Sequence, residues 1–430
     1  MQNRVVRLKV FFYLEFQYPV GFDFSTPEKG NPGIGGTEYA TISLASELSK
    51  HPDLQVYIIS NYWLNLNPKI YQIEARALEE AMALPIVADH YLIFRPKIDP
   101  EIEFLKALRI TKAKLIAWTH VTPSPKHLRI LAASTKVIGV VALGNRQFLS
   151  WLDNPVSRKT TVIQNGQYPA VKKSHSHESN IVTYLGALVP QKGFHVLAKA
   201  WPEIARRIPE LELHVIGGGN LYNDNLEMGN LQIAAPAYEN LILKLLGESI
   251  NSVHFLGKIN AYEKAEVIAR SYIGIVNPAG YTENCPASAL DFESAGVPVV
   301  AARKYGLIDT VSHNETGYLI RKDKDLGQTI IDLYQDKLRR QRYATEAANY
   351  TRANFSFEII AKDWSNYLKG GKKFNQIQSR KLPRLVNFTE RLALLNYRLF
   401  MFLGNRDAWI SVVEIKIYLK GLHQKITRKH

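Results

Sequence analysis

Two acids eight positions apart, Glu283 and Asp291, have the types and spacing most suited to chemistry. They lie in Asn277-Pro-Ala-Gly-Tyr-Thr-Glu283-Asn-Cys-Pro286-Ala-Ser-Ala-Leu-Asp291-Phe-Glu293-Ser-Ala-Gly296-Val-Pro298. The apolar run before Pro278 reads as a buried strand. Pro286 suits a first helical position, because it lacks the N–H that would be orphaned there. Gly296 and Pro298 stop the helix before the next strand. Such a helix points its N-terminus out of the carboxyl edge of a sheet. The N–H groups of Ala287, Ser288 and Ala289 can then hold a phosphate. Glu283 stands beside that place, where a sugar on the phosphate would lie, and Asp291, on the second turn, can reach a ribose hydroxyl. Glu293 lies about 200° around the helix from Asp291 and cannot share its role. In isolation this spacing is also that of a capped helix with surface acids. The strand–loop–helix context is what favours the chemistry.

Other segments can serve the same ligand. In Tyr184-Leu-Gly186-Ala-Leu-Val-Pro190-Gln-Lys192-Gly193 a strand runs into a turn. Lys192 there can set a point charge on a diphosphate, or be a solvated loop lysine. Asn31-Pro-Gly33-Ile-Gly35-Gly36-Thr37-Glu38 opens a long helix. Its backbone at Gly35 and Gly36 can approach an anion closely, although it fits neither common phosphate-loop pattern. His120 ends a strand in Trp118-Thr-His-Val-Thr-Pro, and both a structural and a site role are open to it. Gly217 and the Gly257-Lys258 pair follow strands. They can present backbone to a base or be simple turns.

The elements that must position these residues alternate. Strand-like runs at 5–16, 54–60, 90–94, 114–119, 136–142 and 159–164 form one series. Runs at 180–187, 211–217, 253–256, 272–276, 297–301 and 317–320 form a second. Many are continuously apolar, as in parallel strands buried on both faces. Helical patterns at 36–50, 194–208, 261–270 and 286–295 lie between them. Repeated βα units predict an α/β protein of two Rossmann-like, doubly wound domains facing across a cleft, with a basic helical extension. The expected domains are 1–170, 171–355 and 356–430, with a polar linker at 168–180.

The chain has 430 residues, 46% of them hydrophobic and 22% charged. That excludes a disordered chain. The single cysteine, Cys285, excludes a disulfide framework. No signal peptide or span of about 18 uncharged apolar residues is read. A cytoplasmic protein is expected, either free or peripheral on the cytoplasmic face of a membrane. Residues 371–430 hold 13 Lys and Arg against three acids, so most of the net +15 sits in this tail. Helices are expected at 385–403 and 407–425, the second also alternating like a strand. Arg391 and Arg398, seven apart, share one helical face, and Leu, Phe and Met crowd the rest. Such a helix can lie on an anionic membrane or pack on the body. The charge alone does not specify nucleic acid, which is not expected as a partner.

From about Gly33 to Tyr367 these pieces, in their order, resemble glycosyltransferase family 4, the retaining nucleotide-sugar transferases of the GT-B fold. The resemblance rests on Gly35-Gly36-Thr37-Glu38, Thr119-His120, Ile163-Gln-Asn165-Gly166, Gly186…Lys192-Gly193, Val215-Ile-Gly217, Phe255-Leu-Gly257, Glu283…Asp291…Gly296-Val-Pro298 and Asn314-Glu-Thr-Gly317. It implies that Glu283 contacts donor-sugar hydroxyls and Asp291 the ribose. It also implies that Lys192 binds the diphosphate, that His120 stands near the transferred sugar, and that Gly35 and Gly36 face the diphosphate and acceptor. Residues around Lys258 meet the base through backbone. The implied reaction moves a sugar from a nucleotide-diphosphate donor to a glycan or lipid-linked hydroxyl acceptor. It retains anomeric configuration and requires no cofactor or metal. Two departures stand out. Ala187 replaces the arginine usual after Gly186, and the second acid is Asp rather than Glu. They make a silent sugar-nucleotide or glycan-binding protein the alternative, unless Arg303, Lys304 or Lys258 supplies the missing cation.

Overall fold

The computed structural model describes residues 7–16, 21–87, 90–96, 101–170, 180–219, 227–281, 283–370, 385, 388–402 and 410–427. The chain divides into two compact units. One comprises Met1–Thr26, Ala40–Gln164 and Ala361–His430, the other Pro27–Tyr39 and Asn165–Ile360. Most of the expected linker, 171–179, lies outside the described residues.

The first unit holds strands β1 (Leu8–Leu14), β2 (Asp23–Phe24), β3 (Leu54–Ser60), β4 (Asn65–Leu66), β5 (Tyr71–Glu74), β6 (Tyr91–Phe94), β7 (Lys114–Thr119), β8 (Val137–Ala142) and β9 (Thr160–Val162). Seven form one sheet in the order β5-β3-β1-β6-β7-β8-β9, all pairs parallel. β2 and β4 form a separate two-residue ladder. The continuous apolar runs of β1, β7 and β8 are buried almost throughout, as parallel strands covered on both faces must be. β5 escaped the sequence reading because it is a four-residue edge strand with both ends exposed.

Helix Phe357–Leu368 crosses from the second unit into the first. Its Trp364 is fully buried, with its ring 5.1 Å from that of Trp118 on β7. The tail is helical where described, at Phe388–Phe402 and Val412–Thr427, which settles the helix-or-strand ambiguity. Both helices are fastened to the first unit. Arg146 pairs with Glu390 at 2.8 Å with both side chains buried. Asp153 accepts from Asn396 and from the Val412 backbone, and Arg129 forks onto Glu414. Among the described residues no helix is long and apolar enough to cross a membrane.

The second unit holds β10 (Ile181–Leu185), β11 (Glu212–Ile216), β12 (Val253–Gly257), β13 (Ile273–Val276), β14 (Val299–Ala302) and β15 (Gly317–Ile320). All pair in parallel in the order β12-β11-β10-β13-β14-β15. Counted within the unit this is 3-2-1-4-5-6. The strand order reverses between β10 and β13, and ligands of open α/β sheets bind beyond the carboxyl ends of the strands at that point. Trp201, Phe194, Val215 and Ile275 are among the side chains that fill the core behind it.

Candidate functional site

The loops after β10 and β13 are the two that the reversal brings together. After β10 the chain makes a short turn, Pro190–Lys192, and Gly193 then opens helix Phe194–Arg207. Gly193 has φ +74°, and a Cβ there would lie 2.4 Å from the Ala279 nitrogen in the loop after β13. Only glycine allows both that backbone and that approach. Gly217, after β11, is similar: at φ +140° a Cβ would sit 2.0 Å from the Gly186 carbonyl oxygen. The turn is further held by buried Tyr184, whose hydroxyl donates to the Lys192 carbonyl at 3.0 Å.

This closeness sets Lys192 against Glu283. The Lys192 Nζ lies 2.5 Å from Glu283 Oε1, with both side chains largely buried. Asn277, at the end of β13, donates to the same oxygen at 2.9 Å and to the Tyr281 carbonyl at 2.8 Å. Its Oδ1 accepts the Gly280 N–H. Glu283 is thus fixed by a cation and an amide, and Lys192, with three N–H donors, keeps two for another partner. Sequence reasoning missed Asn277. Its position directly after a buried strand was the available signal, since Asn tolerates the left-handed backbone (φ 38°) that turns the chain here.

The following helix is Ala287–Ser294, with Pro286 as its N-cap residue rather than its first helical one. The Ala289 N–H returns to the Pro286 carbonyl at 3.1 Å. Among the described residues, Ala287 and Ser288 therefore carry the first-turn N–H groups without a backbone acceptor, and the expectation for Ala289 is corrected. Asp291, one turn on, is engaged by Lys264 Nζ at 2.8 Å and by Gln167 Nε2 at 2.9 Å. Neither partner was foreseen, because both come from distant parts of the chain. Glu293 turns the other way. It is fully buried, accepts from Thr316 at 2.5 Å, and its Oε2 has no partner. Burial, partly offset by the Thr316 hydrogen bond, holds its carboxyl well above the usual range.

The remaining expected residues are placed as follows. Lys258 runs its aliphatic stem beside Gly218: a Cβ built there would be 3.4 Å from Lys258 Cγ. Gly35 and Gly36 belong to the second unit. Their loop is tied by Asn31, whose Oδ1 accepts from Gly33 and Ile34. His120 is in the first unit, just beyond β7, with its ring 4.3 Å from that of Trp118. Burial, with the Arg95 charge adding, pushes its pKa down to about 3. It is a neutral imidazole at physiological pH and cannot act there as a cationic acid. Cys285 is buried with its thiol pushed up to about 12, mainly by burial, and is inert. Of the three cations weighed against Ala187, Lys304 is tied to the β13 loop. It donates to the Ala279 carbonyl at 2.9 Å and stands 5.5 Å over the Tyr281 ring. An Asp-x-Asp pair, Asp323-Lys324-Asp325, follows β15, which is two strands away from the reversal.

Two all-parallel α/β units, one with the 3-2-1-4-5-6 order, define the GT-B class. Solved structures agree in fold. HepE of Anabaena, in complex with UDP-glucose, superposes with a TM-score of 0.64 at 17% identity, over 85% of this chain and all of that one. A sucrose-phosphate synthase of Thermosynechococcus elongatus gives 0.62 at 16% identity, over 84% of this chain and 98% of that one. Residues 170–350 match the family of glycosyl transferases group 1. The matched residues lie within the second unit. Among curated relatives, a GDP-mannose-dependent monoacylated alpha-(1-6)-phosphatidylinositol monomannoside mannosyltransferase of Corynebacterium glutamicum is 23% identical. The match covers 61% of this chain and 70% of that one. An uncharacterized glycosyltransferase of Haemophilus influenzae is 22% identical over 78% and 96%.

Proposed function

We propose that this protein transfers a hexose from a nucleotide-diphosphate sugar to a hydroxyl acceptor in glycolipid or polysaccharide assembly, with retention of configuration and without a catalytic metal. The observation that carries the reading is the Lys192–Glu283 pair at the strand reversal of the second unit. The barrier lies in breaking the bond to the diphosphate, and negative charge grows on the leaving phosphate. Preorganised donors aimed at that charge lower the barrier most. Lys192 keeps Glu283 with one N–H and offers the others to the phosphate, and the Ala287 and Ser288 N–H groups add their dipoles. Glu283, held by Asn277, accepts from sugar hydroxyls. Lys304 takes the place of the cation lost at Ala187, because it is bonded to the Ala279 carbonyl while Ala279 itself lies against Gly193. The donors named for relatives, GDP-mannose in one and UDP-glucose in another, support a nucleotide-diphosphate hexose.

A second observation bears on the acceptor. Helix Phe388–Phe402 turns Phe388, Arg391, Leu395, Arg398, Leu399 and Phe402 outward, a stripe of apolar and basic side chains at helical spacing. On the other tail helix Ile415, Ile417, Tyr418 and Leu419 are exposed beside Lys416. We propose that this face rests on an anionic membrane, where a lipid-linked acceptor would be held.

The test is a panel of nucleotide sugars screened by thermal shift, followed by proton NMR of the product formed from the donor that stabilises most. An α-linked product from an α-donor is expected. A β-linked product would remove retention, and no shift with any donor would favour the silent binding protein.

A further inference from the structure

The second unit carries a cluster that the transferase reading does not use. Glu212 and His214 are two residues apart on β11 and so point to the same face of the sheet. Leu213 and Val215, which alternate with them, are buried in the core. β12 is the edge strand, and its pairing sets His254 directly opposite His214. The register therefore gathers two imidazoles and a carboxylate on one patch of sheet.

The distances are those of a ligand set. Glu212 Oε2 is 3.4 Å from His214 Nε2 and 3.6 Å from His254 Nε2. A tetrahedral ion with bonds of about 2.0–2.2 Å needs ligand atoms about 3.3–3.6 Å apart. Two edges of the tetrahedron are thus close to formed, and all three ligand atoms lie within 4.8 Å of one another. The remaining edge needs the exposed His254 ring to rotate from its present place, 5.1 Å from the His214 ring.

We infer that Glu212, His214 and His254 form a binding site for a divalent transition metal, Zn²⁺ in the first instance, with its fourth position open to water. Two imidazoles and one carboxylate suit this borderline-soft ion and not Ca²⁺ or Mg²⁺, which take oxygen ligands. The ion would tie the edge strand to its neighbour. His214 Nδ1 is buried without a hydrogen-bond partner. Outer-shell partners typically add ten- to a hundredfold in affinity, so a micromolar site is expected rather than a nanomolar one. The inference concerns a site apart from the Lys192–Glu283 pair and does not depend on the transferase reading.

The experiment uses the full chain, stripped with EDTA and titrated with Zn²⁺ alone by calorimetry. One equivalent should bind with a micromolar Kd. His254→Ala, an exposed position, and the isosteric Glu212→Gln should each weaken it at least tenfold. Hydrogen exchange of the amides at 253–257 should slow with Zn²⁺ in the parent and not in either variant. No saturable binding below about 1 mM would overturn the inference. So would undiminished binding in both variants, which would place the ion on other histidines.

Discussion

The loops at the strand reversal of the second unit and the tail helices of the first handle charge and apolar surface in opposite ways. At the reversal, charged side chains are paired and mostly covered: Lys192 with Glu283, and Lys264 with Asp291. In the tail the buried ion pair, Arg146–Glu390, faces inward, while Phe388 and Phe402 stand 73% and 86% exposed. Burying ions costs desolvation that a hydrophobic pair would avoid, and exposing large apolar side chains forgoes the stabilisation of covering them. Neither arrangement serves the fold. The first suits a small charged ligand, and the second a broad apolar partner.

The largest effect should come from the first region. Lys192→Ala and Glu283→Gln should each lower kcat at least a hundredfold, the order found for losing one preorganised donor. Circular dichroism should report an unchanged fold. Near-normal turnover by both would detach the pair from catalysis. In the second region, Phe402→Asp should weaken binding to phosphatidylglycerol vesicles about ten- to a hundredfold, since burying a phenylalanine contributes about 1.5–3 kcal/mol. Turnover on a soluble acceptor should not change. Point variants are the sharper tool here. Deleting the tail would take Glu390 away from Arg146, and breaking a buried pair costs about 3–5 kcal/mol. Equal vesicle binding by parent and Phe402→Asp would mean that the exposed stripe has another use.

Much of this was legible in the sequence, for stated reasons. Continuous β-branched runs such as β8 and β13 announce parallel strands wherever they occur. Lys192 and Glu283 stood out because each follows such a run within a few residues. What stayed hidden depends on spatial order. Lys264 and Gln167 meet Asp291 from separate elements, and His254 meets Glu212 only once β12 is known to flank β11. Asn277 stayed hidden too, because nothing local shows that its amide faces Glu283. The helix start moved by one residue, and that small shift changed which N–H groups are available.

A third prediction refines the first region. Lys304→Ala should lower kcat about tenfold, equivalent to about 1.4 kcal/mol, while Lys304→Arg should restore most of it. The effect is smaller because Lys304 approaches the loop through the Ala279 carbonyl rather than through Glu283. An unaffected Lys304→Ala enzyme would leave Ala187 uncompensated.

The smallest effect sharpens the comparison within a single helix. Glu283 has a cation and Glu293 has none, only the Thr316 hydroxyl. Burial therefore raises the folded-state pKa of Glu293 above that of the unfolded chain, about 4.3. Below that pH the acid is neutral in both states and the fold is undisturbed. As pH rises, the unfolded chain releases this proton first, so stability falls by up to about 1.4 kcal/mol per pH unit until the folded-state acid also ionises. Glu293→Gln keeps the shape and removes the proton, and should flatten this dependence. Its Tm should exceed that of the parent by a margin that widens from pH 5 to pH 8. Parallel Tm profiles for the two proteins would mean that Glu293 is charged in the fold, and the contrast with Glu283 would disappear.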